Sequence, residues 1–491
     1  MTAAGSPPCG QFDALFEALR QTVGSKSVLI PSADEPLEAH QVDWRKRYRG
    51  QALAIVFPGN TQDVANVVRL CARHRVSIVP QGGNTSLVGG SVPDDSGQQI
   101  VLNLKRLHRI IAIDAANLSM TVQAGCLLAD VQRAAEEAGL LFPLSLASEG
   151  SCTIGGNLAT NAGGTQVLRY GTARELCLGL EAVTAQGDVW DGLKSLRKDN
   201  TGYDLRDLLI GSEGTLAIIT AATLRLYPRP SQRHAALVGC QSLSQCVSLL
   251  QHARQHLDAR LTGFEVMHRT TIQLVQRHLP QQAQAANGLH SIESSTLPAW
   301  TVLMDTAEAG RTPTLQTDLE NLLLDAQQQG LIECATLAHN DAQYRAMWAL
   351  RESIPMAEKI EGQMVKHDIA VPTSLVPTFV EQAQTALQQA VPGCSVVCFG
   401  HLGDGNLHYN VQSPIGMPDA SFLAQHEASI HALVYDIATS FGGTISAEHG
   451  IGQLKRDELA RRQSPVSAAW MRAIKQTLDP LHLFNPGRTV A

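Results

Sequence analysis

Two histidines that flank a predicted hairpin turn are spaced so that they could bind one metal ion. The run 396–402 is apolar, the run 407–411 alternates, and Asp404-Gly405 between them is typical of a two-residue turn. Such a turn places His401 directly across from His408, with Cβ atoms about 4.5–5.5 Å apart on one face. Two imidazoles at this separation suit a metal such as Zn²⁺, although a histidine pair on a strand surface is the simpler alternative.

A metal held by two imidazoles needs a third ligand, and the segment 446–452 offers one. Glu448 supplies a carboxylate and His449 another imidazole, and the glycines of this segment allow close approach of the backbone. A Glu-His pair ahead of a predicted helix is also common as a helix-start charge. Asn410 lies two residues beyond the second histidine of the hairpin and shares its face of the strand.

Three stretches rich in glycine and small polar residues lie in the first half of the chain, at 81–90, 145–164 and 211–215. Such loops expose backbone N–H groups that bind phosphate oxygens, and the Asn-Thr-Ser run at 84–86 adds side-chain donors. One loop of this kind is often only a tight turn, but three in one predicted domain suggest a dinucleotide. A nicotinamide dinucleotide is not expected, because the nearest match to GxGxxG, at 403–408, runs into a strand and not a helix.

Alternating apolar and amphipathic stretches predict the elements that position these residues. An apolar run at 53–57, a helix capped by Thr61 and an apolar run at 76–79 form a βαβ-like unit, and the first glycine-rich loop follows it. Two prolines within 227–231 indicate a linker, after which helical and strand-like stretches alternate. A last helix is predicted near 464–478. The pattern predicts an α+β protein with at least two domains.

The composition limits the partners of the chain. It has 491 residues, of which 44% are apolar and only 17% charged, and a formal net charge of −7. No basic block could follow a nucleic-acid backbone, so nucleic acid is not expected as a partner. No window is apolar enough for a transmembrane segment and residues 1–10 do not resemble a signal peptide, so a cytoplasmic location is expected. The ten cysteines form no CxxC pair and are expected to be reduced.

Several motifs together resemble the FAD-binding domain of vanillyl-alcohol-oxidase-type flavoenzymes. They are PQGGNTSL at 80–87, LSLASE at 144–149, TIGGN at 153–157, NAGG at 161–164, RYG at 169–171, KDNTGYDL at 198–205 and GSEGT at 211–215. The resemblance covers roughly residues 45–488 and ends with the motifs LDP and NPGR. It is closest to the FAD-dependent D-2-hydroxyacid dehydrogenases, in particular those acting on D-2-hydroxyglutarate.

This resemblance implies a two-subdomain FAD-binding domain of the PCMH type, an α+β substrate or cap domain and a C-terminal helical segment. The domain boundaries follow from it. Residues 1–44 are predicted to form an N-terminal helical extension, 45–229 the FAD-binding domain and 230–450 the substrate- and metal-binding cap domain. Residues 451–491 are predicted to form a helical segment that returns to the FAD-binding domain.

The resemblance also implies which residues bind FAD. The first loop would hold the pyrophosphate, the second stretch would line the flavin and the ribityl chain, and the third would lie against the cofactor. The residues carried over are Gln81, Gly82, Gly83, Asn84, Thr85, Ser86, Ser148, Thr153, Gly156, Asn157, Asn161, Gly163, Gly164, Glu213, Gly214 and Asn485. Some relatives attach the flavin through a histidine in the first loop. Asn84 stands here instead, which implies FAD bound non-covalently.

The same resemblance assigns roles in the second half of the chain. His401, His408 and Glu448 match the family's metal ligands, commonly for Zn²⁺, and His449 matches its catalytic base. A His₂Glu set leaves coordination positions open for a substrate oxygen.

Substrate binding is assigned to Arg351, Lys366 and Asn410. Isolated Arg and Lys side chains are usually solvated, but in the family the matching Arg and Lys bind the carboxylate ends of the substrate. The Lys is expected in enzymes that act on dicarboxylic 2-hydroxy acids. Four residues after the Arg, close relatives often carry Thr, whereas Pro355 here offers no hydrogen-bond donor.

The predicted activity is therefore FAD-dependent oxidation of a D-2-hydroxy acid, with D-2-hydroxyglutarate as best candidate, to its 2-oxo acid. A metal would bind the 2-hydroxyl and the C1 carboxylate, His449 would remove the proton, and hydride would pass to flavin N5. An electron-transfer flavoprotein or a quinone is the expected acceptor, and a homodimer is an open possibility. The alternatives are a D-lactate or glycolate dehydrogenase, a metal-dependent hydrolase and a non-catalytic flavin-binding subunit.

Overall fold

The chain divides into two compact units. The computed structural model describes residues 12–32, 37–289, 297–310 and 314–490. The first unit comprises Met1–Gly163, Thr172–Pro228 and Glu448–Ala491, and the second comprises Gly164–Gly171 and Arg229–Ala447.

Helices and strands alternate through both units. The helices are α1 (Asp13–Val23), α2 (Glu38–Gln41), α3 (Thr61–His74), α4 (Leu128–Glu137), α5 (Ile154–Ala159), α6 (Val167–Tyr170), α7 (Leu205–Leu209), α8 (Leu243–Leu257), α9 (Arg269–His278), α10 (Leu315–Gln328), α11 (Asp341–Glu352), α12 (Ile354–Glu361), α13 (Val376–Ala390), α14 (Asp419–Ser440), α15 (Arg456–Arg462) and α16 (Pro465–Leu478). The strands are β1 (Val28–Leu29), β2 (Ala52–Val56), β3 (Ser77–Gln81), β4 (Gln99–Asn103), β5 (Ile110–Asp114), β6 (Ser119–Gln123), β7 (Leu140–Leu141), β8 (Cys177–Val183), β9 (Val189–Gly192), β10 (Ile218–Arg225), β11 (Tyr227–Pro228), β12 (Gln232–Cys240), β13 (Leu261–His268), β14 (Trp300–Glu308), β15 (Cys334–Leu337), β16 (Asp368–Ala370), β17 (Ser395–His401) and β18 (Asn406–Gln412).

A four-stranded sheet of the first unit carries the first glycine-rich loop. Its order is β1-β2-β4-β3, and β2, β4 and β3 run parallel. The predicted βαβ unit is confirmed, because α3 connects β2 to β3. The predicted cap is wrong by one residue, since Asn60 caps the helix and Thr61 is its first residue. The loop leaves the carboxyl end of β3, which is the edge where ligands bind in parallel sheets.

A second sheet of the first unit is antiparallel, in the order β5-β6-β10-β8-β9. The stretch 211–215 enters its central strand, β10, which is buried along almost its whole length. The third glycine-rich stretch is therefore anchored to a rigid element.

The second unit is built on a seven-stranded antiparallel sheet in the order β15-β12-β14-β13-β17-β18-β16. One face packs against α9, α11 and α12 in a core that includes Leu303, Ile272 and Leu350. Because side chains alternate along each strand, the opposite face is left for α8 and α10, which also pack against each other. The predicted α+β class is confirmed.

The predicted hairpin forms from β17 and β18, but its turn is longer than predicted. His401 pairs with Asn406, so a four-residue loop separates the strands and the predicted direct pairing with His408 is wrong. Strand β17 ends at His401, earlier than predicted, because the N–H groups of Asp404 and Gly405 both donate to the His401 carbonyl. A shift of two residues preserves the face, so the histidines are diagonal neighbours, with ring centroids 5.7 Å apart.

No helix among residues 12–32, 37–289, 297–310 and 314–490 is long and apolar enough to span a bilayer. The cysteines of these ranges are free thiols in buried positions.

A buried lysine fixes the C-terminal segment of the first unit. Lys475 on α16 donates from Nζ to Asp479 at 2.6 Å and to the carbonyls of Thr215 and Phe484. Asp479 is fully buried and also accepts from the N–H groups of Leu483 and Phe484. This ion pair therefore joins α16, the third glycine-rich stretch and the segment that leads to residue 485.

We expect Lys475→Met to destabilise the protein by about 3–5 kcal/mol, because it leaves a buried carboxylate without its cation. Urea unfolding measures the loss. Arg472→Met, which removes an exposed cation from the same helix, should change the free energy of unfolding by no more than about 0.5 kcal/mol. An unchanged urea midpoint in Lys475→Met would contradict this role.

Candidate active site

The first glycine-rich loop packs directly against the segment 151–153 of the first unit. A Cβ atom on Gly82 would overlap Thr153 Oγ1, and one on Gly83 would overlap the carbonyl oxygen of Ser151. Only glycine therefore allows the two segments to approach this closely. The loop presents bare backbone beside one of the other predicted cofactor-binding residues.

Two polar residues of this loop use their side chains to hold the loop in place. Gln81 donates to the carbonyls of His40 and Ser91 and accepts from His40 Nδ1 and Asn103. Asn84 donates to two carbonyls within 39–42 and accepts from Ser91. These side chains are committed to the protein, so contact with a cofactor would fall to the backbone around them. The Thr and Ser at 85–86 are half-buried.

The second stretch offers a cap and an unpartnered amide. The carbonyl of Ser148 accepts from two backbone N–H groups of the following turn, and Thr153 caps α5 by accepting from Gly156 N–H. Asn157 is 5% exposed, and its Nδ2 is buried without a hydrogen-bond partner. A buried donor of this kind is available to a ligand group that accepts a hydrogen bond.

The third stretch brings distant segments of the first unit together at Glu213. Its carboxylate accepts from the N–H groups of Ile451 and Gly452, each at 2.8 Å. Burial raises the pKa of this carboxyl, and the two N–H groups oppose the rise. Asn485 donates to the carbonyls of Gly90 and Glu213, while its Oδ1 is buried and unpartnered. Gly214, the next residue, has a left-handed φ of 66° and packs on Pro80 at the base of the first loop.

The remaining predicted cofactor residues lie between the second stretch and the segment after 447. The Asn161 side chain accepts from Thr172 Oγ1 and a neighbouring backbone N–H. A Cβ on Gly163 would lie 3.0 Å from Glu448 Oε1, so a predicted cofactor residue and a predicted metal ligand are neighbours. Gly164 begins the short segment that belongs to the second unit.

The first unit therefore gathers the three glycine-rich stretches and residue 485 around bare backbone and two unpartnered amide atoms. This arrangement fits a cofactor that carries phosphates and hydrogen-bonding rings, as FAD does.

A buried carboxylate organises the candidate site in the second unit. Glu265 lies opposite His401 in the β13–β17 pairing, and its Oε1 is 2.6 Å from His401 Nδ1. Its Oε2 accepts from Arg351 Nε at 2.9 Å and Nη2 at 2.8 Å. Burial would raise the pKa of the Glu265 carboxyl, but His401 and Arg351 outweigh burial and hold this pKa below its usual range.

The ionised carboxylate fixes the tautomer of His401. Glu265 only accepts, so His401 Nδ1 carries a proton, and in the neutral ring the lone pair is on Nε2. A carboxylate that orients an imidazole in this way is typical of metal-ligating histidines. His408, on the same face, is the second candidate ligand.

A second buried carboxylate holds the other predicted substrate residues. Glu358 on α12 is 1% exposed and accepts from Lys366 Nζ and Asn410 Nδ2, each at 2.6 Å. Asn410 Oδ1 in turn accepts from the N–H of His367. The structure thus joins Lys366 and Asn410 through a residue that the sequence analysis missed.

Glu448 and His449 belong to the first unit, whereas the histidine hairpin belongs to the second. The second unit ends at Ala447, whose N–H donates to the carbonyl of Asp368 beside β18. The third metal ligand and the catalytic base therefore remain predictions.

Both missed carboxylates left a signal in the sequence. Glu265 interrupts the apolar run 261–268, and a carboxylate in a strand buried on both faces must be hydrogen-bonded or paired with a cation. The partner itself could not be identified, because Arg351 is far away along the chain. Glu358 in α12 left a weaker signal, since an acidic residue in a helix is usually solvated.

Two family models match the chain. The FAD binding domain matches residues 52–192, and the C-terminal domain of FAD-linked oxidases matches residues 229–489.

Curated relatives match it over nearly the full length. The mitochondrial D-2-hydroxyglutarate dehydrogenase of Arabidopsis thaliana is 35% identical and covers 95% of this chain and 80% of the relative. The mitochondrial D-2-hydroxyglutarate dehydrogenase of Bos taurus is 37% identical, and the match covers 96% of this chain and 82% of the relative. The D-2-hydroxyglutarate dehydrogenase of Xanthomonas citri pv. viticola is 37% identical over 97% of each chain.

Solved structures share the fold at low sequence identity. An alkyldihydroxyacetonephosphate synthase aligns with a TM-score of 0.75 and 17% identity, over 99% of this chain and 86% of that one. p-Cresol methylhydroxylase with substrate bound aligns with a TM-score of 0.73 and 17% identity, over 98% and 97%. The predicted fold of the vanillyl-alcohol-oxidase type is confirmed.

We expect Gly83→Ala to lose bound FAD, because the new Cβ would overlap the Ser151 carbonyl and force the loop away from its neighbour. The measurement is the flavin released by acid per protein after gel filtration. Gly150→Ala is the matched control, since nothing lies within 4 Å of a Cβ at that position. Equal flavin contents in the two variants would contradict the proposed packing constraint.

Proposed function

This chain belongs to the D-2-hydroxyglutarate dehydrogenase family of FAD-linked oxidases, and we propose that it oxidises D-2-hydroxyglutarate to the 2-oxo acid. Family membership makes it an FAD-dependent hydroxyacid oxidoreductase, and the hydrolase and non-catalytic alternatives find no support in the relatives. The observation that carries the proposal is the buried Arg351–Glu265–His401 chain, which holds a guanidinium and an imidazole in one fixed arrangement.

FAD would be held by the first unit, through the backbone of the loop 81–90 and the unpartnered amide atoms of Asn157 and Asn485. When bound, it supplies the two-electron acceptor for oxidation at the substrate's C2. We infer non-covalent binding, because Asn84 stands where covalent relatives have histidine and its side chain is committed to the protein. Acid release also tests this inference, since covalent flavin would stay with the precipitated protein.

Arg351 is proposed to orient the substrate through a carboxylate. Glu265 engages Nε and one N–H of Nη2, so the N–H groups of Nη1 and the second N–H of Nη2 are the donors proposed for a substrate. The pairing fixes the plane of the guanidinium before substrate arrives, which lowers the entropic cost of binding.

A divalent metal, with Zn²⁺ as first candidate, is proposed to bind His401, His408 and Glu448. The orientation of His401 by Glu265 and its shared face with His408 support the first two ligands. The third rests on the family resemblance. Such a metal would lower the pKa of the substrate hydroxyl, and His449 is proposed to accept the proton that leaves it.

The electron acceptor is proposed to be an electron-transfer flavoprotein or a quinone. The eukaryotic relatives are named as mitochondrial and the Xanthomonas relative is not, so a cytoplasmic location stays a prediction for this chain. A homodimer likewise stays a prediction.

A lactate-type substrate is the second candidate, and one observation favours it. The positive charge of Lys366 is already balanced by Glu358, and Pro355 in the first turn of α12 adds no donor. An ammonium group still has further N–H bonds, so Lys366 could bind a distal carboxylate while it keeps its bond to Glu358.

We expect removal of the divalent metal to abolish flavin reduction by substrate while the oxidised flavin spectrum persists, because the proposed FAD contacts do not use the histidine hairpin. His401→Ala should behave in the same way, and the exposed His339→Ala serves as control. Stopped-flow absorbance under anaerobic conditions measures the effect. Full activity after verified metal removal, or in His401→Ala, would rule out the proposed metal site.

We expect Lys366→Met to lower kcat/KM for D-2-hydroxyglutarate by about 10- to 150-fold, the equivalent of one charged hydrogen bond of roughly 1.5–3 kcal/mol. D-Lactate, which has no distal carboxylate, should lose several-fold at most.

Lys366→Met also leaves the buried Glu358 carboxylate without its cation, and this carboxylate would repel an anionic substrate. Adding Glu358→Gln removes that repulsion, so the double variant measures the lost binding by Lys366 alone. The double variant should keep the selective loss on the dicarboxylate. Equal losses on both substrates would favour the lactate-type substrate. The control is Lys359→Met, which removes a cation from the exposed side of α12.

A further inference from the structure

Two histidines and one aspartate form a cluster on the outer helices of the second unit, away from the hairpin ligands in sequence. His252 and His256 are four residues apart on α8 and therefore share one face of the helix. Asp325 reaches them from α10, which packs against α8. Each side chain offers one ligand atom, and these atoms all lie within 4.8 Å of one another.

His252 carries the clearest sign of a missing ligand. Its side chain is 8% exposed, and its Nε2 lies 3.2 Å from Asp325 Oδ2. The two atoms nevertheless make no hydrogen bond, so Nε2 is buried without a partner. Zinc ligands about 2.0–2.2 Å from the metal are about 3.3 Å apart at the edges of a tetrahedron. The observed separation, which is also that of an ion pair, fits two atoms bound to one metal.

His256 has a ring nitrogen that can serve as a ligand. Its Nδ1 lies 2.9 Å from the carbonyl of His252, which only accepts, so in the neutral ring Nδ1 carries the proton and Nε2 has the lone pair. A backbone carbonyl that fixes the tautomer in this way is a common support for a ligating histidine. Asp325 Oδ2 is in turn held by a hydrogen bond from Gln329 Nε2 at 2.8 Å.

We propose that His252, His256 and Asp325 form a second site for a divalent transition-metal ion such as Zn²⁺, with solvent completing the coordination. The metal would cross-link α8 to α10. Between the two histidines, Arg254 donates to the carbonyl of Gly403 at 2.7 Å, in the turn that follows His401. The site would thus stabilise the helix that holds the hairpin turn.

The test is a zinc titration of the flavin-loaded, metal-stripped protein, with a chromophoric chelator as competitor. Wild type should bind about one equivalent of Zn²⁺ more than His256→Ala, because three ligands are the usual minimum for such a site. Asp325→Asn should lose the same equivalent, and His339→Ala should keep it. His401→Ala should also keep it, which separates this site from the proposed catalytic one.

Thermal unfolding supplies a second readout. Zinc should raise the apparent Tm of wild type and of His401→Ala but not that of His256→Ala, whose side chain is exposed and whose zinc-free Tm should be unchanged. Zinc stoichiometry and affinity equal to wild type in both His256→Ala and Asp325→Asn would overturn the proposal. Loss of all zinc binding in His401→Ala alone would also overturn it.

Discussion

The carboxylate of Glu265 lies in the centre of a packed sheet, where an uncompensated charge costs several kcal/mol. Its neighbours on the face toward α11 must therefore supply positive charge and N–H donors. Arg351 supplies a two-pronged hydrogen bond and His401 supplies a third donor. Because each of these groups would be costly to bury alone, their mutual neutralisation fixes the position of all three. One buried charge thus links strands β13 and β17, the last turn of α11 and the orientation of the hairpin histidine.

A different constraint applies to the first unit. To bind a cofactor, its loops must be fixed in place while their backbone N–H groups stay accessible. Glycines 82 and 83 permit contact with 151–153, while the side chain of Asn84 is committed to the loop's own support. Glu213 plays an equivalent part, because its carboxylate satisfies two backbone N–H groups of the segment after 450. The loops are held by their side chains, which leaves their backbone for a ligand.

The sequence predicted the elements well because their signals are local. The strand–helix–strand start and the last helix follow from apolar periodicity and caps. The hairpin was predicted in the right place with the wrong turn, because the choice between two and four loop residues depends on hydrogen bonds to the His401 carbonyl. The pairing error was two residues, and side chains alternate with a period of two, so the prediction that the two histidines share a face was still correct. The partners of Arg351 and Lys366 could not be predicted, since Glu265 and Glu358 become neighbours only when the sheet and α12 have packed.

Charge balance in the second unit gives an independent reason to expect a cation there. Arg351 is paired with Glu265 and Lys366 with Glu358, so the two basic residues assigned to the substrate bring almost no net positive charge. A hydroxy acid with one or two carboxylates adds negative charge to this neutral arrangement, and oxidation also requires that its hydroxyl lose a proton. The histidines of the hairpin can introduce positive charge here, either by protonation or by binding the proposed metal. If the proposed divalent ion binds Nε2 of His401, it would supply positive charge without disturbing the bond that orients the imidazole to Glu265.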